Sequence, residues 1–575
     1  MRSLAAGVLL LLAPGAILAQ GPSPESRPVI IPAPAPTLPR THAPEKTRAD
    51  ITARDLMTRL YIFADDSMQG RDAGTIGNFK GTDYIAREVQ RMGLVPMGDN
   101  GTFFQVLPFK TRTIDPASAL TSGDQALAYG TEWVARANQS FHQENLPVVY
   151  GGVLGDTLSL SADQVAGKLV VMQLPSGGGI RSLRVAGRRY PTAAALAIAG
   201  SDPLFGFLRR PVSFVDDPGM SRPGTQVPPT LFLSEAGAAR LFEGGAGGLT
   251  PGASGKSVTL DLKVAVEPVP YPARNVVAMI PGNDPALKGQ YIAIGAHNDH
   301  IGMTGAAVDH DSMRIFLHRV RPGGAEDNGR QATPEEQAQV NADLAAWRAA
   351  HPNGQRPDSI SNGADDDGSG SVSVLEIAEK LQSMKKKLKR SVLFVWHVGE
   401  ERGLLGSAWF TDHPTVPRDS IVAQLNMDMV GRGDAWDVTG KSKDGEVLHG
   451  TPGYLQIVGA RRLSTELGDL IEQVNVEGKH NLVFDYSMDA NGHPMNIYCR
   501  SDHYEYARYG IPIAFFTTGG HSDYHQVTDE PMYIDYPHME RVDRLVADVA
   551  LRLANLDHRV VVDKEKPDPR GACRQ

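Results

Sequence analysis

Five short segments of this 575-residue chain gather histidine or carboxylate side chains, four of them just past apolar runs. His297-Asn298-Asp299-His300 follows Ala293-Ile294-Gly295-Ala296, and Glu400-Glu401 follows Val392–Val398. Asp428 ends Ala423-Gln424-Leu425-Asn426-Met427, and His521-Ser522-Asp523-Tyr524-His525 comes after Ile513–Thr517. The remaining segment, Gly363-Ala364-Asp365-Asp366-Asp367-Gly368-Ser369-Gly370, opens a helical pattern. Imidazole and carboxylate are the ligands of a divalent metal site, and a carboxylate beside such a site can take a proton from water. Adjacent glutamates suit that division, one binding metal and the other left free. Asp299, two residues past His297, is placed to accept the second imidazole N–H. Three successive aspartates repel one another unless a cation or hydrogen-bond donors offset them. Taken singly, each segment is also compatible with a solvated turn; the set of five in one chain is not.

The aspartate run has a competing reading. Asp365, Asp367, Ser369, Gly370 and Glu376 match the one-three-five-six-twelve spacing of a calcium-binding loop. Pro352, Gly354, Pro357 and Gly363 precede it, so the entering helix such a loop needs is missing, and no second loop accompanies it.

Composition narrows the chemistry further. Two cysteines exclude a four-thiolate zinc site, an iron–sulfur cluster and a disulfide scaffold, leaving metal to histidine and carboxylate. Whether Cys499 and Cys573 pair is open. The net charge of −9 argues against a nucleic-acid partner. The basic run Lys385–Arg390 reads as cations at a helix C-terminus rather than an anion-binding patch.

These side chains need strands to deliver them. Asn275–Ile280, Tyr291–Ala296 and Ser391–Val398 read as buried strands, with a helix over Ser371–Met384 between the last two. Helical patterns also begin near Asp50 and after Gly81. The fold class is therefore α/β: a mixed, mostly parallel central sheet with helices on both faces. Between Leu146 and Val266 the texture changes to short β-branched runs among glycines and prolines, a small β-rich domain inserted in the larger one. A polar excursion, 303–361, carries its own helix behind a Thr333/Glu336 capping box. The stretch from Val438 to Tyr486 gives no clear reading. Residues 1–19 have the charged start, short apolar run and small-residue exit of a signal peptide, and 20–47 form a proline-rich linker. No segment is long and apolar enough for a membrane anchor.

The order His-x-Asp, Gly-Ala-Asp-Asp, Glu-Glu, Asn-x-Asp-Met and Tyr-His resembles the di-zinc exopeptidases of the bacterial leucyl aminopeptidase and glutamate carboxypeptidase family, over about residues 50–555. Gly167-Lys168-Leu169-Val170-Val171 and Val227-Pro228-Pro229-Thr230-Leu231 resemble the protease-associated domain that many members insert. The resemblance implies a peptidase domain in two parts, 48–130 and 266–560, an inserted domain at 131–265 and a tail at 561–575.

It also implies two Zn²⁺ ions. The Asp-x-x-Ser-Gly spacing selects Asp366 as the bridging ligand, with Asp365 as runner-up. His297 and Asp428 would complete one site, Glu401 and His525 the other. Glu400 would be the general base, Asp299 the partner of His297, and Tyr524 the donor to the oxyanion. Arg500 and Asp502 would shape substrate binding. The expected activity is an exported, secreted or periplasmic aminopeptidase acting on peptides, with 303–361 and 131–265 as walls that exclude long chains. Alternatives are a carboxypeptidase or dipeptidase on the same scaffold, or a non-catalytic binding protein. Terminal-residue preference and oligomeric state are not legible.

Overall fold

A computed structural model describes residues 38–575 apart from 157–159, 176–182, 184–188, 218–219, 221–227 and 353–354. The expected signal peptide and the linker up to residue 37 lie outside the described residues.

Nine strands form the central sheet. Its middle consists of four parallel strands in the order Ser391–His397, Tyr291–His297, Ile421–Met427 and Ile513–Thr517. Antiparallel neighbours flank them: Arg274–Ile280 on one side and Tyr454–Val458 on the other. These strands are buried and mostly apolar because both faces are covered. Ile292, Ile294, Phe394 and Trp396 pack with the helices Ala53–Phe63, Ile76–Arg91, Gly370–Ser383 and Tyr536–Asn555. Ala293, Leu393 and Val395 face the opposite way, toward Phe410 of helix Leu405–Asp412 and Tyr506 of helix His503–Ala507. The mixed α/β architecture is the expected one.

Two expectations shift. The second helix begins at Ile76 rather than after Gly81. Its small residues Gly77 and Gly81 are buried, so they serve close packing against the preceding turn instead of ending a loop. The unread stretch 438–486 supplies a hairpin (Val438–Lys441 with Val447–His449), the sheet strand Tyr454–Val458, the helix Thr465–Glu477 and the edge strand Val483–Asp485.

Helix Gly370–Ser383 follows the aspartate run directly, so its anchoring fixes the site. Fully buried Arg59, from helix Ala53–Phe63, pairs with Glu376 at 2.9 Å and Glu88 at 2.7 Å, and also with Glu379. Breaking one arm of such a network would leave a buried charge uncompensated.

The β-rich body contains a five-stranded sheet with Leu169–Gln173, Ala195–Ala199 and Thr230–Leu233 mutually parallel at its centre. Its smaller sheets recruit Phe109–Ile114 and Ala119–Ser122, so strand pairing begins well before residue 131. The 303–361 excursion is a hairpin, Met303–Asp309 with Pro357–Ile360, enclosing the helices His310–Val320 and Pro334–Ala350. The Thr333/Glu336 capping box forms at the second helix. Cys499 and Cys573 are joined in a disulfide. Among the described residues no helix is long and apolar enough to cross a membrane.

Candidate active site

The four parallel strands deliver their C-terminal ends to one crevice. From Tyr291–His297 the chain moves to one neighbour, Ser391–His397, and then to the other, Ile421–Met427, the reversal at which open α/β sheets form sites. His297 closes its strand, Glu400 and Glu401 follow the second, Asp428 follows the third, and Tyr524 and His525 lie on the loop after the fourth.

Asp366 is the centre of the cluster. Its Oδ1 lies 3.2 Å from His297 Nε2, and its Oδ2 lies 3.1 Å from His525 Nε2. Asp428 Oδ1 is 3.7 Å from His297 Nε2, and Glu401 Oε2 is 3.0 Å from His525 Nε2. The five expected metal-ligating side chains thus meet in one place, with Asp366 between the two histidines.

The neighbouring aspartates are occupied by the backbone. Asp365 Oδ1 accepts from Gly431 N at 2.7 Å, and Asp367 accepts from the main-chain N–H groups of His297, Gly370 and Met429. An Asp367 oxygen lies within 4.8 Å of ligand atoms of His297 and Asp428, yet these three donors hold it as a structural anchor. Gly370 must be glycine here: a Cβ would sit 2.3 Å from both Asp367 Oδ1 and the Met427 carbonyl. Asp529 holds the run from the other side, accepting from Asp365 N and Asp366 N at 3.0 Å. These contacts, rather than calcium-loop geometry, explain three acidic residues in sequence.

Two expectations are corrected. His297 Nδ1–H donates to the Asp299 main-chain carbonyl at 3.0 Å, whereas the Asp299 carboxylate is 3.9 Å away. That carboxylate instead accepts from Gly399 N at 2.7 Å and Glu400 N at 3.2 Å, because the strand end turns its side chain toward the next strand's loop. Asp299 therefore orients both His297 and Glu400, one through its backbone and the other through its side chain. Asp502 is fully buried beside His397 at 3.4 Å and does not line the cleft, which places it beneath the site rather than against substrate.

A cleft of about 670 Å³ opens over the cluster, with His297, Asp366, Glu400, Asp428 and Tyr524 in its wall and Arg500 at its exposed edge. Met488, Met495, Ile497 and Phe515 give it an apolar side. The 303–361 excursion contributes Ala325 and Glu326. Its Arg321 donates to the carbonyls of Ser522 and Tyr524, bracing the His525 loop. No residue lining this cleft comes from 131–265 among the described residues, so only one of the two expected walls reaches it.

Electrostatics separate the carboxyls. Burial holds Glu400 well above the ordinary range, with Glu401 and Asp428 adding repulsion and His297 opposing it. Against its own burial, Asp366 is held well below that range by His297, His300 and His525. Glu401 falls to about 2, the pull of His525 outweighing burial. Two carboxyl groups pushed apart in this way suit different tasks. Burial and nearby Asp366 keep the Tyr524 phenol protonated, a neutral hydrogen-bond donor.

The residues fit a divalent metal centre. Asp366 Oδ2, Glu401 Oε1 and His525 Nε2 are buried and lack hydrogen-bond partners despite their close approaches. Buried polar atoms without partners are costly, and a shared cation satisfies all of them at once. His297, Asp428 and Asp366 could hold one ion; Glu401, His525 and Asp366 could hold another.

Four further residues shape the site without having been singled out as functional in the sequence. Ser501 Oγ donates to Asp428 Oδ2 at 2.7 Å and accepts from Asn426 Nδ2. Buried Arg71 donates to the carbonyls of Asn362 and Gly363, fixing the entry to the aspartate run. Asp529 is described above. His300 has Nδ1 2.9 Å from Glu401 Oε1. Only His300 had a local signal, as a second imidazole three residues past His297; the others act through long-range contacts.

Residues 348–550 match the family model described as Peptidase family M28. That range contains Asp366, Glu400, Glu401, Asp428 and His525 but not His297. A probable leucine aminopeptidase of Trichophyton verrucosum is 32% identical over 141 residues, 24% of this chain and 36% of the relative. Leucine aminopeptidase 1 of Neurospora crassa is 32% identical over 206 residues, 34% of this chain and 46% of the relative. The chain thus spans about a third to a half of the length of the curated relatives it matches. Among solved structures, an aminopeptidase from Aneurinibacillus sp. strain AM-1 aligns with 90% of this chain and 97% of its own, at 16% identity and a TM-score of 0.48. A zinc aminopeptidase from Bacillus subtilis aligns with 88% and 95%, at 16% identity and a TM-score of 0.44.

Proposed function

We propose that this chain, which belongs to peptidase family M28 through residues 348–550, is an exported di-zinc aminopeptidase that removes N-terminal residues from peptides. The observation that carries the proposal is Asp366 standing between two histidine–carboxylate pairs, with Glu400 beside them in a cleft. Bound Zn²⁺ would lower the pKa of water and polarise the scissile carbonyl.

The chain's own residues do the rest. Glu400, held by Asp299 through its backbone N–H, takes the proton of the attacking water as the C–O bond forms. It returns that proton to the leaving amine as the C–N bond breaks. Tyr524 donates a hydrogen bond to the oxygen that gains negative charge. The cleft's apolar side receives the terminal side chain, and Ala325 and Glu326 of the 303–361 excursion close it at the far side. Export is supported by the leader pattern of residues 1–19 and by the Cys499–Cys573 disulfide, a bond suited to an oxidising compartment.

Arg500 favours a second reading. An exposed guanidinium at the cleft edge matches a substrate carboxylate, as a carboxypeptidase or dipeptidase would require. Cleavage of one peptide series with free, N-acetylated and C-amidated ends, with and without chelator, separates the readings. The aminopeptidase reading expects chelator-sensitive hydrolysis abolished by N-acetylation and indifferent to C-amidation. The reverse dependence selects the alternative, and no chelator-sensitive hydrolysis at all leaves a binding protein.

A further inference from the structure

We propose, resting on the metallopeptidase reading above, that His300 is a direct protein ligand of the ion on the Glu401–His525 side. His300 is completely buried, and neither ring nitrogen has a hydrogen-bond partner. Its Nδ1 lies 2.9 Å from Glu401 Oε1 and 3.8 Å from Asp366 Oδ2, two oxygens that are themselves buried without partners. Nδ1 and Oε1 approach this closely while each remains without a hydrogen-bond partner, as two ligands facing one cation would. The ligand atoms of His300, Asp366 and Glu401 lie within 4.8 Å of one another. Zinc bonds of about 2.0 Å in tetrahedral geometry set ligand atoms about 3.3 Å apart. The approaches of 2.9, 3.0, 3.1 and 3.8 Å around Glu401, Asp366, His525 and His300 bracket that spacing.

The ring is also built into place. Gly363 adopts φ +56°, and a Cβ there would lie 2.5 Å from His300 Cγ, so the glycine makes room for the imidazole. The His300 main-chain N–H donates to the carbonyl of Arg71, whose guanidinium holds Gly363 in turn. His300 meets His525 edge-on, with ring centroids 5.6 Å apart. The two metal sites are then unequal. One has His297 and Asp428 with a share of Asp366; the other has Glu401, His525 and His300 with a share of Asp366.

The test is a Zn²⁺ titration of the full chain against a competing chelator, for wild type, His300→Phe and His300→Gln, with X-ray absorption at the zinc edge of wild type carrying two equivalents. A ligand role expects one equivalent weakened more than about 100-fold, beyond the about 10–100-fold cost of losing a group that only orients a ligand. It also expects a wild-type spectrum fitted by three imidazoles over two ions. Unchanged affinities in both variants, or a spectrum fitted by two imidazoles, overturns it. If neither variant folds, the wild-type spectrum decides alone. Failure of wild type to bind zinc removes the metallopeptidase reading itself; two tightly bound ions and chelator-sensitive hydrolysis with unaffected variants remove only His300.

Discussion

The two halves of the histidine–carboxylate cluster are built in different ways. His297 ends one parallel strand of the central sheet and Asp428 directly follows the neighbouring one, Ile421–Met427, with buried neighbours on every side. His297 is fixed by the Asp299 carbonyl and Asp428 by the Ser501 hydroxyl. Glu401 and His525 stand on loops. His525 has a left-handed backbone, φ +59°, which a non-glycine residue holds only where its surroundings impose it. Its loop is braced by Arg321 from the 303–361 excursion. One half is therefore set by the sheet itself and the other by contacts between segments far apart in sequence. The difference separates a frame that any strand-end ligand pair inherits from a half that depends on this chain's own additions.

The largest effect is expected where the halves meet. Asp366→Ala removes the one side chain shared by both, so both zinc equivalents and all hydrolysis are expected to be lost by metal analysis of the purified protein. Asp365→Asn, whose parent side chain serves Gly431 N and His521, is expected to keep both. The opposite pattern breaks the assignment of Asp366 as the shared ligand.

Next in size is Glu400→Gln. With Asp299 still holding the loop, the variant should keep its zinc and lose about 10²–10⁴-fold in kcat, the usual worth of a general base. Wild-type turnover would take Glu400 out of the mechanism; lost zinc would make it a ligand.

How far these features were legible in sequence follows the same division. The strand-borne half is written locally: an apolar run predicts the strand, and the residue at its end is the ligand. The capping box at Thr333 and the helix after Gly370 were equally local. Asp299 was found by spacing, but spacing cannot say whether its carbonyl or its carboxylate meets His297. Asp502 was placed by resemblance, and only the packing of helix His503–Ala507 shows it facing inward. Arg71, Ser501 and Asp529 act across 73–292 residues of sequence and His300 through two unsatisfied ring nitrogens, and periodicity carries no such information. The boundary of the β-rich body moved for the same reason, since strand pairing from Phe109 onward is a long-range choice.

A smaller effect probes the strand-borne half alone. Ser501→Ala removes the donor to Asp428 Oδ2 and leaves the loop-borne half untouched. Zinc affinity at one equivalent is expected to fall by about 10–100-fold, the cost of losing a group that orients a ligand. A matching loss at both equivalents would show that the halves are coupled beyond Asp366.

The smallest effect concerns acid stability beneath that same half. His503 lies two residues past Ser501, stacked on Phe515 at 4.7 Å, with Nε2–H donating to the Tyr498 carbonyl at 2.7 Å. Burial lowers its pKa from 6.5 to about 4, so the folded protein keeps the ring neutral where the unfolded chain protonates it. The unfolded state then binds more protons between those values, and stability must rise with pH across them. The contribution is complete above pH 6.5 and is lost as pH falls toward 4, up to about 3 kcal/mol for a fully buried group. His503→Phe keeps the stacking surface and cannot protonate. In urea unfolding of the metal-free protein, its stability is expected to fall less steeply than wild type between pH 6.5 and 4, even if it starts lower for want of the Tyr498 hydrogen bond. Parallel curves would mean that acid enters the molecule elsewhere, and that the sheet-borne half is no more protected from beneath than the loop-borne one.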